Sequence, residues 1–145
     1  MSQPDDKPRP VEKTDAEWRA QLDPTQYQVA RHAATERAFS GKYWDHWTPG
    51  QYNCVGCGIP LFASDTKFDS GTGWPSFYQP LHKAVGQSSD RSLLMARTEV
   101  HCSRCGGHLG HVFDDGPKPT GLRYCMNGVA MTFKASDAVA ARPTP

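Results

Sequence analysis

The stretch Val100-His101-Cys102-Ser103-Arg104-Cys105-Gly106-Gly107-His108-Leu109-Gly110-His111-Val112-Phe113-Asp114-Asp115-Gly116 decides how this chain is read, together with Arg123-Tyr124-Cys125-Met126-Asn127 beyond a Pro/Gly-rich loop. It carries three of the five cysteines and three of the six histidines. Cys102 and Cys105 are two residues apart and are followed by Gly106. That spacing lets two thiolates converge on one ion, and the glycine permits the positive φ of a tight turn. Residues 93–101 read as a strand leading into this knuckle, and His111-Val112-Phe113 continues the sheet. Asp114-Asp115-Gly116-Pro117 turns the chain, and residues 122–134 are expected to return as one long strand.

Upstream stands a second knuckle, Cys54-Val55-Gly56-Cys57-Gly58, between short strands expected at 51–54 and 59–62. Two matched pairs supply the four sulfurs of a closed tetrahedral site, so Cys54, Cys57, Cys102 and Cys105 are expected to hold one structural Zn2+. Four sulfur ligands leave no open position for catalysis. A thioredoxin-like redox motif would need a βαβ setting that neither pair has. The long gap between the pairs requires a sheet inserted between them.

The 145 residues give one domain, with 13 Gly, 12 Pro and 37% hydrophobic residues. That composition favours a loop-rich, short-strand protein over a helical bundle. The fold class expected is mainly β, two antiparallel sheets in a sandwich or barrel-like arrangement with short N-terminal helices and a structural zinc site. Residues 1–13 read as a disordered arm, 14–134 as the folded domain and 135–145 as a flexible tail. Thr14-Asp15-Ala16-Glu17 is a capping box, and Asp23-Pro24 starts a second helix that runs to about His32. Formal net charge is +1 with scattered Lys and Arg, which gives no footprint for nucleic acid. An N-terminus without an apolar core is no secretory signal, and no apolar run is long enough to cross a bilayer. A cytoplasmic protein, most simply a monomer, is therefore expected, and its cysteines are read as metal ligands and thiol chemistry.

Cys125 is left without a partner. An unpaired cysteine is ordinarily a small buried hydrophobe. Against that, Arg123 lies two residues away on the same strand face, where a cation stabilises a thiolate. Asn127 offers an amide on that face, and His108 and His111 are candidate general acids. Trp74, between Gly73 and Pro75, suits a rigid aromatic wall, and Phe77 is read as completing the pocket.

Gly71-x-Gly73-Trp74-Pro75-Ser76-Phe77, the two knuckles, 108–117 and Arg123-Tyr124-Cys125-Met126-Asn127 together resemble the peptide-methionine (R)-S-oxide reductase (MsrB) family. The resemblance runs from about Thr14 to Lys134. It implies an enzyme of oxidative protein repair, with Cys125 as nucleophile and a sulfenic acid left on it. Trp74 would hold the sulfoxide's methyl group, His111, His108 and Asn127 would bind and protonate its oxygen, and Arg123 would tune the thiol. Many members carry a resolving cysteine where this chain has Thr72. With four cysteines committed to zinc, the implied reductant is external: thioredoxin or a small thiol. Two other classes fit parts of the sequence. A zinc-ribbon binding module leaves Cys125 and the Trp74 loop without a role, and a cysteine hydrolase needs a base and orienter that spacing cannot establish.

Overall fold

The computed structural model describes residues 11–90 and 97–135. The first ten residues of the expected arm and the tail from 136 lie outside them, as do residues 91–96, which include 93–96 of the strand expected at 93–101. Helix α1 (Asp15–Gln21) starts on the capping box read from the sequence: Thr14 Oγ1 accepts from Glu17 N–H at 3.1 Å and Glu17 Oε1 accepts from Thr14 N–H at 2.8 Å. Helix α2 (Pro24–His32) starts on a second such box, built by Asp23 and Gln26, with Pro24 in the first turn. Each helix alone is too short to be stable in water. Their apolar residues, Trp18 on α1 and Tyr27, Val29 and Ala30 on α2, are buried against the rest of the domain. Trp18 lies against Gly56, where a Cβ would stand 3.1 Å from its ring, so a side chain at the tip of the first knuckle would press on the indole. On the second knuckle, Arg104 C=O accepts from Val11 N–H at 2.8 Å, which ties down the segment just ahead of α1.

Among the described residues nine strands follow: β1 (Gly50–Cys54), β2 (Pro60–Ala63), β3 (Lys67–Phe68), β4 (Ser76–Phe77), β5 (Val85–Asp90), β6 (Arg97–Cys102), β7 (His108–Phe113), β8 (Arg123–Met126) and β9 (Met131–Ala135). They form a three-stranded sheet, β2-β1-β9, and a six-stranded sheet, β3-β4-β8-β7-β6-β5. Every pairing is antiparallel. The expected mainly β, two-sheet architecture with short helices is what the chain adopts. The core fills the space between the sheets. Tyr52 and Phe62 from the small sheet meet Phe77, Val100 and Met126 from the large one, all 0% exposed. Phe62 stacks on Phe77 with ring centroids 4.3 Å apart at 18°.

The long strand expected at 122–134 does not exist. The chain leaves the large sheet at Asn127, makes a 3-10 turn over Gly128–Ala130 and enters the small sheet as β9. The physical cause is a carboxylate: Glu36 Oε1 accepts the N–H of Val129 at 2.9 Å and so takes it out of any ladder. Strand β5 was not anticipated. Its sequence, Val-Gly-Gln-Ser-Ser-Asp, has little β propensity, and it forms the edge of the sheet by pairing along its whole length with β6.

Candidate active site and sulfur cluster

The alternation of strand side chains sorts the residues around Cys125. On β8, Tyr124 and Met126 are buried in the core while Arg123 and Cys125 face the other way. Cys125 is directly opposite His111 on β7 and Ser76 on β4, and His111 is opposite Glu99 on β6. Glu99, His111, Cys125 and Ser76 thus form one row across four strands on one face, with adjacent Cβ atoms within about 5.5 Å. A glycine is obligatory beside this row: a Cβ at Gly110 would lie 2.1 Å from Cys125 C=O.

His108 joins the same row through an irregularity. Three residues from His111 on a regular strand, it would point to the opposite face. The pairing slips between Val100 and His101, so that Val100 opposes Gly110 but His101 opposes His108. The extra residue reverses the parity. His108 Nδ1 then reaches Glu99 Oε2 at 2.7 Å, and its ring meets the edge of His111 with centroids 5.5 Å apart. Glu99 is the site residue that reading along the sequence missed. No local motif marks it, and only its register with His111 reveals it.

Cys125, His111, Trp74 and Asn127 line one cleft of about 90 Å³, with Phe113 adding apolar wall and Thr35 and Arg97 also lining it. The space is far below the roughly 300–1,000 Å³ of cofactor or drug sites, and suits the end of one side chain. Trp74 Nε1–H donates to Glu36 C=O at 2.9 Å, fixing the ring plane. Asn127 is 2% exposed; its Oδ1 accepts from Glu36 N–H at 2.8 Å and its Nδ2 donates to Leu109 C=O at 3.0 Å. Arg123 lies beside the cleft, held by a bidentate pair to Asp115 (2.8 and 3.1 Å) and stacked over Phe113.

Phe77 is not part of this site. Adjacent strand residues point to opposite faces, so Ser76 shares the face of Cys125 while Phe77 shares that of Tyr124 and is buried in the core. The place expected of Phe77 as second wall of the pocket is taken by Phe113.

Burial pushes the Cys125 thiol above its ordinary range, against the pull of a hydrogen bond from Thr72, the charge of Arg123 and a hydrogen bond from Ser76. Thr72 Oγ1 stands 3.9 Å from Cys125 Sγ and 2.8 Å from Ser70 Oγ, which is also 2.8 Å from Ser76 Oγ. Three hydroxyls therefore chain together beside the sulfur. At rest the thiol holds its proton more tightly than a surface cysteine does.

The two knuckles meet at the ends of β1 and β6. All four Sγ atoms of Cys54, Cys57, Cys102 and Cys105 lie within 4.8 Å of one another. Cys54 and Cys105 are 3.6 Å apart, Cys57 and Cys102 3.5 Å. Gly58 and Gly106 take φ of +84° and +77°, the turn conformation their positions called for. A tetrahedral ion with metal–sulfur bonds of about 2.3 Å has sulfur–sulfur edges of about 3.8 Å, so the cluster can hold a metal ion with little movement. Backbone N–H groups of Gly56 and Arg104 donate to Cys54 Sγ (3.3 Å) and Cys102 Sγ (3.4 Å), and Arg31 reaches Cys105 Sγ at 3.8 Å. With a divalent cation bound, these donors would offset the excess negative charge of four thiolates. Hydrogen bonds from Cys102 and Cys105 push the Cys54 thiol up, while the bond from Cys102 brings Cys57 down to about 7. None of the four lines the Cys125 cleft.

The SelR domain family matches residues 22–135. The chain is 62% identical over 135 residues to the peptide methionine sulfoxide reductase MsrB of Methylibium petroleiphilum, covering 92% of this chain and 98% of that protein. This chain belongs to the MsrB family. It is 59% identical to the enzyme of that name from Thiobacillus denitrificans, over 86% of this chain and 96% of the relative. Peptide methionine sulfoxide reductase B1, chloroplastic, of Arabidopsis thaliana is 58% identical over 82% of this chain and 59% of the plant protein. Trp74, His111, Cys125 and Asn127, from three of the motifs quoted for the resemblance, line one cleft, while the two knuckles meet away from it. No helix among the described residues is long and apolar enough to cross a membrane.

Proposed function

We propose that this protein reduces the R epimer of methionine sulfoxide in peptides and proteins to methionine, with Cys125 as nucleophile. The observation that carries the reading is the register that sets Cys125 directly opposite His111 in a cleft walled by Trp74. A sulfoxide sulfur accepts a nucleophile only as its oxygen gains a proton, so a thiol and a proton donor must face the substrate together. Cys125 Sγ attacks the sulfur while His111 delivers a proton to the oxygen, with His108 behind it held by Glu99. The oxygen passes to Cys125, the thioether leaves, and the thiol's own proton replaces the one His111 gave. Thiol plus sulfoxide thus becomes sulfenic acid plus methionine. Trp74 takes the S-methyl group on one side and the polar groups take the oxygen on the other, which makes the cleft handed. Asn127 braces the wall, and Arg123, aimed by Asp115, lowers the cost of the thiolate.

A dithiol such as thioredoxin, or a small thiol, then reduces the sulfenic acid, releasing water and returning Cys125. The requirement for such donors supports a reducing cytoplasm. Zinc is the ion we assign to the four-cysteine cluster, on the donor set and the near-tetrahedral spacing; its role is to clip the ends of β1 and β6 together.

The test is stoichiometric reduction of a mixed R/S methionine sulfoxide peptide by pre-reduced protein after removal of excess thiol, with both epimers and Cys125 followed by mass spectrometry. Loss of the R epimer alone, with Cys125 trapped as sulfenic acid, is expected. No consumption of either epimer by folded, zinc-loaded protein refutes the reading.

A further inference from the structure

One residue that no motif singled out touches both walls of the cleft. Glu36 lies in the irregular segment between α2 and β1. Its N–H donates to Asn127 Oδ1 (2.8 Å) and its C=O accepts from Trp74 Nε1–H (2.9 Å). Glu36 is only 8% exposed, and its Oε1 accepts from Val129 N–H at 2.9 Å. Oε2 has no hydrogen-bond partner among the described residues and packs against Gly41, where a Cβ would stand 2.4 Å from it. A buried carboxyl with one unpaired oxygen is costly, and burial raises its proton affinity. Such a group is kept only where it holds something in place.

We propose that Glu36 is the positioning residue of this cleft: its carboxylate, locked on the Val129 amide, fixes the main chain that sets Trp74 and Asn127. The two walls depend on it unequally. Asn127 is tied twice more, by its own N–H and Nδ2 to Leu109 C=O, at 2.8 and 3.0 Å. The Trp74 indole N–H is tied only to Glu36 C=O among the bonds the structure gives it. The segment is otherwise pinned to the Trp74 loop by Phe39 N–H donating to Gly73 C=O at 2.8 Å. Loosening Glu36 therefore frees the aromatic wall before it disturbs the reacting row, and the loss falls on substrate binding more than on the chemical step.

The inference rests on the proposed sulfoxide cleft, so the experiment keeps the two separable. Single-turnover reduction of the R-sulfoxide peptide is followed against peptide concentration for wild type, Glu36→Ala and Glu36→Gln, with thermal unfolding of each. Glu36→Ala should raise the half-saturating concentration about tenfold while the maximal rate stays within about threefold. Glu36→Gln, which keeps an acceptor for Val129 N–H, should return half-saturation to within about twofold of wild type. A purely structural role would lower the unfolding temperature and leave half-saturation unchanged in the folded protein. That result overturns the proposal, as does a Gln variant no better than Ala. Should Glu36→Ala not fold, Glu36→Asp, shorter by one methylene, carries the same comparison. A wild type that fails to reduce the peptide removes the reading of the cleft itself, whereas a working wild type beside an unchanged Ala variant removes only Glu36.

Discussion

Replacing Phe77 by Leu tests the strand parity on which the whole site assignment depends. The ring is 0% exposed, stacked on Phe62 at 4.3 Å and set edge-on to Tyr52 at 5.2 Å. Leucine keeps much of the apolar volume but loses both ring contacts, each worth about 0.5–1.5 kcal/mol, for a total of about 1–3 kcal/mol. Truncation to Ala adds a cavity between the sheets and should cost about 3–5 kcal/mol. With about 2–4 °C of Tm per kcal/mol for a domain of this size, Phe77→Leu should melt roughly 2–12 °C below wild type. Urea unfolding and thermal circular dichroism measure the stability, and single-turnover reduction measures the site. Half-saturation for the peptide should stay within about twofold of wild type in Phe77→Leu, because the ring and the cleft are on opposite faces of β4. Trp74→Ala should behave inversely, losing substrate binding with little change in Tm. A Phe77→Leu protein that kept its Tm but lost affinity for the sulfoxide would put the ring in the cleft and refute the alternation argument.

Other expectations follow from the sulfur chemistry. Because burial raises the Cys125 thiol, its alkylation by iodoacetamide should keep accelerating as pH rises past the ordinary thiol range. Thr72→Val, which removes a hydroxyl favouring the thiolate, should slow that alkylation at any fixed pH below the plateau; an unchanged rate would discount the 3.9 Å contact. Thr72→Cys should supply a resolving thiol beside Cys125, so that one turnover without reductant ends in a disulfide between the two positions, read by mapping of unreduced peptides. Native mass spectrometry should find one zinc per chain, and chelation should lower Tm; free zinc at about 100 times its dissociation constant contributes about 2.7 kcal/mol. A chain that stays fully stable when stripped would deny the cluster its clipping role.

How much of this was legible along the sequence follows from the range of each signal. Knuckles, capping boxes and turn glycines act over three or four residues, so Cys54, Cys57, Cys102, Cys105, Thr14 and Gly58 could be placed directly. The cluster joins residues up to 51 apart in sequence, but two identical local motifs announce it. The break at Asn127 was hidden because its cause, Glu36, lies 93 residues from the Val129 amide it binds. Glu99 was hidden for a similar reason: its role is a register, and register is a property of two strands. Strand β5 gave no signal because an edge strand needs only a partner and not its own apolar face. Phe77 shows the opposite failure. The Gly/Pro-rich run before it suggested a loop, but two residues of β4 suffice to send Ser76 and Phe77 to different faces.

Burial of Cys125 sets the proton accounting of the reaction. A surface thiolate would be a ready nucleophile, but it would bring no proton, and the sulfoxide oxygen needs one to leave. A thiol held above its ordinary range stays protonated at neutral pH, so the resting site already contains the proton that the sulfenic acid will carry. The opposing groups, Thr72, Arg123 and Ser76, then limit how far the thiol is raised. Arg123 cannot swing away from this task, because Asp115 grips its guanidinium at two nitrogens and Phe113 supports its face. Its charge is thereby fixed beside the sulfur and also half neutralised, which tempers the pull on the thiolate. On the proposed mechanism, the balance favours the protonated thiol until an electrophilic sulfur and His111 are both in place. An off-duty thiol of this kind is less open to stray oxidation, which a repair enzyme working among oxidants requires.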